Sequence, residues 1–262
     1  MTSNSRDAAK FIRDRILEMH RIGPNVGSAL SIADIVAVLQ FAVMTGVGNV
    51  GGDRLILSKG HGVSALYAAL ALRGTIPARQ LENYMKDAGL PGHPTVGTAP
   101  GIEWTTGSLG HGLAVGAGIA WAMTRRGESG RVFVVLGDGE CGEGTVWEAA
   151  ALAGRMRMAN LVAVVDANGW QGYDRVANVL PGDFIHRAFE AAAWTVTQCD
   201  GHDHAALTSA FEANADDSPR VVIARTIKGR GVPELEDRLE SHYFSITPAM
   251  LDALRMDKDK SS

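Results

Sequence analysis

Short runs rich in valine and isoleucine alternate along this chain with segments of helical periodicity, and this alternation constrains the fold more than any other feature. The runs lie at 55–57, 131–136, 160–165, 194–198 and 220–224. Runs of this length and apolar character are typical of strands covered on both faces. Segments with helical periodicity lie between them, at 112–124, 145–158 and 204–214. The pattern predicts an α/β fold with a mainly parallel central sheet flanked by helices on both faces.

Two further helices are predicted in the N-terminal part of the chain. Apolar residues at three- and four-residue steps predict the first over about residues 5–22. Ser31 is a plausible N-cap of a second helix that runs to Met44. The 262 residues contain no internal repeat, so we expect one domain over 1–262, with a charged tail at 257–262.

Composition excludes several classes of function. The 25 lysines and arginines stand against 29 aspartates and glutamates without a basic run, which argues against a nucleic-acid partner. No apolar stretch approaches the roughly 18 residues of a membrane span, and the polar N-terminus does not resemble a signal peptide. The two cysteines, Cys141 and Cys199, are far apart and predict neither a disulfide framework nor a zinc cluster. We therefore expect a cytoplasmic protein with no membrane partner.

The segment 132–144 is the most informative part of the sequence. A predicted strand ends there in a glycine-rich turn, and a helix begins at Thr145, so that backbone N–H groups are available to an anion. Gly137, Gly139 and Gly142 satisfy the G-x-G-x-x-G pattern of dinucleotide-binding proteins, with Asp166 as a possible ribose ligand. That alternative remains open at this point.

Asp138 lies within the same turn and would repel a pyrophosphate unless a cation stood between them. Asn168 follows the next predicted strand and supplies a second oxygen at the same end of the sheet. Mg²⁺ takes oxygen ligands, commonly one or two from side chains and the rest from phosphate and water. Asn168-Gly169 is also compatible with a simple turn.

Gly137-Asp138-Gly139, followed by Asn168, resembles the thiamine diphosphate signature, and the chain over about 11–242 is similar to the N-terminal, diphosphate-binding half of transketolase. The resemblance implies thiamine diphosphate and Mg²⁺ as cofactors. Asp138, Asn168 and the Trp170 carbonyl would hold the metal, and Gly139 and Asn168 would contact the cofactor.

Three histidines lie in segments that resemble transketolase loops: His61 in L-S-K-G-H-G, His93 in P-G-H-P, and His242 beyond T-I-K-G-R-G. A structural role is the default for any one histidine. The resemblance implies that all three act in catalysis, and that His61 and His242 contact the cofactor. Imidazoles near neutrality can donate to a phosphate or exchange protons with a hydroxyl.

The segment T-T-G-S-L-G-H-G resembles the family's loop whose backbone lines the cofactor. It implies cofactor contacts from Gly107, Ser108 and Leu109, and His111 is expected to be a polar wall residue. A closely packed, N-capped helix would also favour small residues here.

Two residues bear on specificity and assembly. Asn25 stands where family members carry a histidine, and its amide can bind a hydroxyl but cannot titrate. We expect Asn25 to act in catalysis without transferring a proton. The family position of Glu143 implies a catalytic proton network that reaches the partner subunit, although an acid at a helix N-terminus would suit the helix dipole equally well.

The resemblance implies transfer of a two-carbon ketol unit from a ketose, or ketose phosphate, to an aldose. The family's pyrimidine-binding carboxylate belongs to the C-terminal half, so we expect a catalytically incomplete chain that joins a separate pyrimidine-binding subunit in an α2β2 assembly. Two alternatives stay open: transfer of the two-carbon unit to a carrier thiol in specialised biosynthesis, and a non-catalytic cofactor-binding or regulatory subunit.

Overall fold

Five parallel strands form the central sheet of the computed structural model, which describes residues 4–21, 23–213, 217–247 and 249–251. The strands are β1 (Arg54–Leu57), β2 (Val132–Gly137), β3 (Leu161–Ala167), β4 (Thr195–Asp200) and β5 (Arg220–Arg225). Their order across the sheet is β1-β2-β3-β5-β4, and all neighbouring strands are parallel. The predicted α/β class is confirmed.

Helices cover both faces of this sheet. They are α1 (Ser5–Met19), α2 (Val26–Ser31), α3 (Ala33–Val38), α4 (Val63–Leu72), α5 (His111–Arg125), α6 (Gly144–Arg155), α7 (Phe184–Ala191) and α8 (His204–Glu212). The single helix predicted over 31–44 is instead divided between α2, α3 and a π-helical turn at Leu39–Val43.

Alternate residues of the buried strands enter two different hydrophobic cores. Phe133 and Val164 face the core formed with α1, α3, α4 and α8. Val134 and Ala163 face the core formed with α5, α6 and α7. Because both faces are covered, β1, β2, β3 and most of β5 are buried, as their continuous apolar sequence predicts.

The expectation that the run 194–198 is covered on both faces is wrong. Trp194 is buried, but β4 itself is largely exposed or half-buried. β4 lies at the edge of the sheet, where β5 is its one neighbour among the described strands, so that polar Thr195, Thr197 and Gln198 remain accessible.

Ser31 is not an N-cap, because it is the last residue of α2. It is fully buried, and its Oγ lies 3.0 Å from the Ser28 carbonyl oxygen and 2.7 Å from Asp166 Oδ2, either of which can accept its proton. A buried hydroxyl needs such a partner, and here α2 supplies one and β3 the other.

The register of the sheet brings the loops after β1, β2 and β3 together at the carboxyl ends of these strands. Gly137, the last residue of β2, pairs with Asp166 near the end of β3. Ligands of parallel α/β sheets bind beyond the carboxyl ends of the strands.

Among the helices of the described residues, none combines the length and apolar character needed to cross a bilayer. The predicted tail at 257–262 lies outside the described residues.

Candidate active site

A cavity of about 440 Å³ opens at the carboxyl ends of β1, β2 and β3. It brings together residues that are far apart in the sequence. Those predicted from the sequence that line it are Asn25, His61, His93, Gly107, Leu109, Asp138, Gly139, Glu143, Asn168, Trp170 and His242.

Two of the remaining predicted residues lie outside this cavity. Ser108 is exposed and does not line it. His111 is the first residue of α5, is also exposed, and lines a separate groove between α5 and α6. The structure therefore does not place His111, expected as a polar wall residue, in the wall of this cavity.

Asp138 and Asn168 lie beside each other at the base of the cavity. Asp138 Oδ1 accepts from the Gly139 N–H at 2.9 Å, and Oδ2 accepts from the Gly169 N–H at 2.6 Å, which joins the turns after β2 and β3. Asn168 Oδ1 accepts from the Trp170 N–H at 3.0 Å. Hydrogen bonds thus link the Asp138 and Asn168 side chains and the Trp170 backbone across the two turns.

The electrostatics of Asp138 favour a cation. Asp138 is only 4% exposed, and burial together with the nearby charge of Asp166 raises its pKa from 3.8 to about 7. A bound divalent ion would offset both effects. The described residues contain no group of three or more His, Cys, Asp or Glu side chains suited to a metal. The available set is instead one carboxylate with neutral oxygens, which fits Mg²⁺ when a phosphate completes its coordination.

Asp166 is a structural centre behind the cavity. It is fully buried and forms an ion pair with Lys59. The Thr226 hydroxyl donates to its Oδ1, and Asn168 Nδ2 donates to Oδ2 at 2.9 Å. A carboxylate held in this way is not available to a ribose, so the dinucleotide alternative loses the acid on which it depended.

Two lysines that the sequence analysis missed line the same cavity. Lys59 follows β1 and Lys228 follows β5, and both are buried. Burial and the charge of Lys59 lower the pKa of Lys228 to about 8. Lys59 is already paired with Asp166, so within the described residues the Lys228 ammonium is the unpaired positive charge of the two beside Asp138, and it suits a diphosphate that carries a divalent ion. The feature of the sequence that could have identified these two lysines is a lysine followed by a glycine shortly after a predicted strand, in L-S-K-G-H and in T-I-K-G-R.

The three predicted histidines surround the cavity. The rings of His61 and His242 are 5.6 Å apart, and His242 Nδ1 lies 3.3 Å from Lys228 Nζ. Burial and the lysine charges lower the pKa of His242 to about 4 and hold that of His61 well below its usual value. Burial also lowers the pKa of His93. All three imidazoles are therefore neutral at pH 7 and can exchange hydrogen bonds or accept a proton.

Asn25 and Glu143 lie at the edge of the cavity. Asn25 adopts a left-handed conformation with φ of +73°, which asparagine tolerates better than most residues. Its N–H donates to the His242 carbonyl at 2.9 Å, and its side chain forms no capping bond with α2. Glu143 is exposed and directly precedes α6.

The outer side of the cavity is built by two loops that the sequence did not predict to meet. Trp170 Nε1 donates to Asp237 Oδ1 at 2.8 Å, and the Arg175 guanidinium binds both oxygens of the same carboxylate at 2.7 and 2.9 Å. Arg175 also lies 3.8 Å above the Trp170 ring. These contacts join the loop after β3 to the loop that carries His242.

Comparison with known proteins agrees with this geometry. The family described as "Transketolase, thiamine diphosphate binding domain" matches residues 14–257. The chain belongs to the transketolase family. This transketolase-family chain is 37% identical to an apulose-4-phosphate transketolase subunit of Actinobacillus succinogenes, over 90% of the chain and 88% of that protein. It is also 37% identical to the 6-deoxy-6-sulfo-D-fructose transketolase subunit SqwG of Clostridium sp. strain MSTE9, over 96% of the chain and 95% of that protein.

Solved transketolases share the fold. The Campylobacter jejuni enzyme superposes with a TM-score of 0.90 at 27% identity, over 97% of this transketolase-family chain and 42% of its own. The Leishmania mexicana transketolase gives a TM-score of 0.88 at 25% identity, over 97% of this chain and 41% of its own. The chain therefore spans about two fifths of the length of these solved relatives.

Proposed function

We propose that this chain binds thiamine diphosphate and Mg²⁺ and, with a separate pyrimidine-binding subunit, transfers a two-carbon ketol unit from a ketose to an acceptor. The observation that carries the proposal is the convergence of Asp138, Asn168 and Trp170 in a cavity that also contains two buried lysines. This arrangement offers oxygen ligands to a divalent ion and positive charge to a diphosphate within the same space.

In this proposal the carboxylate of Asp138, the amide oxygen of Asn168 and the Trp170 carbonyl hold Mg²⁺. The Asn168 side chain is oriented for this role, because its Nδ2 donates to Asp166, while Oδ1 accepts from the Trp170 N–H and keeps a second lone pair for the ion. Gly139 has no room for a side chain, since a Cβ there would lie 2.8 Å from Gln171 Cβ. Its backbone, with that of Gly107 and Leu109, lines the cavity in which the cofactor would lie.

His61, His93 and His242 contact diphosphate or substrate and move protons at the substrate hydroxyls. Their lowered pKa values keep them neutral at pH 7, so that each ring can donate one hydrogen bond and accept another. When bound, thiamine diphosphate supplies the nucleophilic carbon and the electron sink that cleavage beside a carbonyl requires. Asn25 orients a substrate hydroxyl by hydrogen bonding alone.

The partner in this proposal is a second, pyrimidine-binding subunit, in an α2β2 assembly with the cofactor at the interface. Two relatives at 37% identity are themselves named as transketolase subunits. Glu143 is exposed at the edge of the cavity, where a partner could complete a proton network. The chain is then catalytically incomplete alone.

The single-domain organisation and the cytoplasmic location stay predictions.

For the donor we propose a ketose phosphate or a related anionic ketose. The relatives are named for apulose 4-phosphate and for 6-deoxy-6-sulfo-D-fructose, which are both anionic sugars. Aldoses are the first candidate acceptors. Asn25 favours a second candidate, a carrier thiol, because an amide in place of the family's histidine cannot transfer a proton to a sugar hydroxyl.

The test is reconstitution with the pyrimidine-binding subunit encoded nearest to this chain's gene. Light scattering would measure the mass of the mixture, and ketose phosphates would be assayed with aldoses and with carrier proteins as acceptors. We expect ketol transfer only in the mixture and only with thiamine diphosphate and Mg²⁺. Full activity of the chain by itself would contradict the proposal.

Asp138→Ala separates the enzymatic proposal from a regulatory subunit. The substitution is expected to abolish transfer, whereas a regulatory effect on the partner would survive it. Asp183→Ala is a matched control, because Asp183 is exposed and pairs only with Arg187 in the described residues. Titration of the chain with NAD, alongside thiamine diphosphate, tests the dinucleotide alternative directly.

A further inference from the structure

A carboxylate with no part in the proposed chemistry lies buried two residues after Asp138. Glu140 is only 3% exposed. Its Oε1 accepts from the Ser58 hydroxyl at 2.5 Å and from the Gly110 N–H at 2.8 Å, and its Oε2 accepts from the Gly137 N–H at 3.0 Å. Burying a carboxylate is unfavourable unless donors such as these compensate for the lost water.

The three donors belong to three separate segments of the chain: one follows β1, one precedes α5, and one ends β2. The first segment leads into His61, the second contains Gly107 and Leu109, and the third leads into Asp138. All of these residues line the proposed cofactor cavity. One side chain therefore joins three of the segments that form the site.

The packing around Glu140 is close on the side of Ser58 and the start of α5. Ser58 is fully buried. A Cβ at Gly112 would lie 2.4 Å from Ser58 Cβ, and a Cβ at Gly110, where φ is +84°, would lie 2.6 Å from Glu143 Cβ. The start of α5 is thus in close contact with the segments on either side, and their spacing is fixed at the carboxylate.

We propose that Glu140 is a positioning residue whose carboxylate sets the spacing of these three segments and so forms the diphosphate cleft before the cofactor binds. The inference rests on the proposed function, since it assumes that the cavity binds a diphosphate. A glutamine cannot replace Glu140, because its NH₂ group would face an N–H or O–H donor in either orientation. Glu140 also lines the cavity, but both of its carboxylate oxygens are engaged by these donors, so in this proposal it acts through its neighbours.

The first experiment uses the isolated chain and Mg²⁺-pyrophosphate as the probe. Calorimetric titration would compare the wild type with Glu140→Gln, Ser58→Ala and the control Glu190→Gln, which changes an exposed glutamate on α7. Outer-shell substitutions typically weaken binding at such sites 10–100-fold, so we expect about a 10-fold or greater rise in Kd for Glu140→Gln. Ser58→Ala removes one donor and keeps the carboxylate, so a smaller rise of about 3-fold is expected. Glu190→Gln should match the wild type.

The outcomes are separable. Failure of the wild type to bind Mg²⁺-pyrophosphate would overturn the proposed function and, with it, this inference. Wild-type binding with an unchanged Kd in folded Glu140→Gln would overturn the inference alone. If Glu140→Gln does not fold, Ser58→Ala decides, and an unchanged Kd in that variant would count against the role of Glu140.

A second readout distinguishes positioning from a general loss of structure. In the assembly with the partner subunit, Glu140→Gln should raise the thiamine diphosphate concentration for half-maximal activity about 10-fold or more. The kcat at saturating cofactor should stay within about 3-fold of the wild type, because the reacting groups are unchanged. A fall in kcat without a change in cofactor requirement would contradict the proposal.

Discussion

The two sides of the cavity are each organised around one aspartate, but in opposite environments. On the inner wall, Asp166 is fully buried and pairs with Lys59, Ser31, Thr226 and Asn168. On the outer wall, the Asp237 side chain is 57% exposed and pairs with Arg175 and Trp170. The inner wall carries Asp138, Asn168 and the two lysines. The outer wall joins the loop after β3, which includes Trp170, to the loop that carries His242.

Similar ion pairs therefore contribute differently to the free energy of unfolding on the inner and the outer wall. Removing one partner of a buried pair leaves an uncompensated charge in a medium of low polarity, whereas water and salt screen an exposed pair. We therefore expect substitutions of the inner pair to destabilise the fold far more than substitutions of the outer pair. Four predictions test this distinction, beginning with the substitution that we expect to cost most.

Asp166→Asn should destabilise the fold most. The substitution leaves the Lys59 ammonium buried without its counter-charge, and breaking such a pair costs about 3–5 kcal/mol in the free energy of unfolding. Urea unfolding followed by tryptophan fluorescence measures the loss. Adding Lys59→Met should recover part of the stability, because no buried charge then remains unpaired. A loss below about 1 kcal/mol for Asp166→Asn would show that this buried pair contributes no more to stability than an exposed pair does.

Asp138→Asn should abolish Mg²⁺-dependent binding of pyrophosphate while leaving the metal-free chain stable. The folded pKa of Asp138, about 7, lies above its usual value of 3.8, so the folded chain retains the proton more strongly than the unfolded chain. Stability should therefore decline as pH rises from about 4 to about 7 without metal, and the asparagine variant should lose this decline. Thermal unfolding across that range, with and without Mg²⁺, measures both effects. An identical pH profile in the two proteins would show that Asp138 does not titrate in this way.

Binding of pyrophosphate at mildly acidic pH should take up protons at His242. Burial and the charge of Lys228 lower the pKa of His242 from 6.5 to about 4, and a bound anion would raise it again. The uptake is expected between these two values, at less than one proton per site, and should vanish well above them. Calorimetry in buffers of different ionisation enthalpy measures it. His242→Gln corrects for protons that pyrophosphate itself binds, and equal uptake in that variant would exclude His242 as the source.

Asp237→Asn should have the smallest effect on stability. The pair with Arg175 is exposed on both sides, and such pairs contribute about 0–1 kcal/mol. Urea unfolding at low and high salt should show a difference from wild type that shrinks as salt screens the charges. A loss comparable to that of Asp166→Asn would remove the distinction between the two walls.

Much of the fold was predictable from local pattern. The runs 131–136, 160–165 and 220–224 correspond to β2, β3 and β5, because strands buried on both faces leave a continuous apolar signal. The run 194–198 carries a similar signal but became the exposed edge strand, since strand order depends on how the connections pack. Helix α7 was missed because it spans only eight residues, although Asp183 at its N-cap is a start signal.

From the sequence it was possible to predict which side chains stand at the ends of β2 and β3, and thus that Asp138 and Asn168 lie at the same end of the sheet. That inference needed only strand periodicity and the parallel connection between neighbouring strands. Tertiary structure alone decided that Lys59 neutralises Asp166, that Glu140 joins three loops, and that Asp237 binds Arg175. The physical reason is that these partners lie far apart in the chain, and long-range pairing of polar groups depends on packed geometry that leaves no local periodicity.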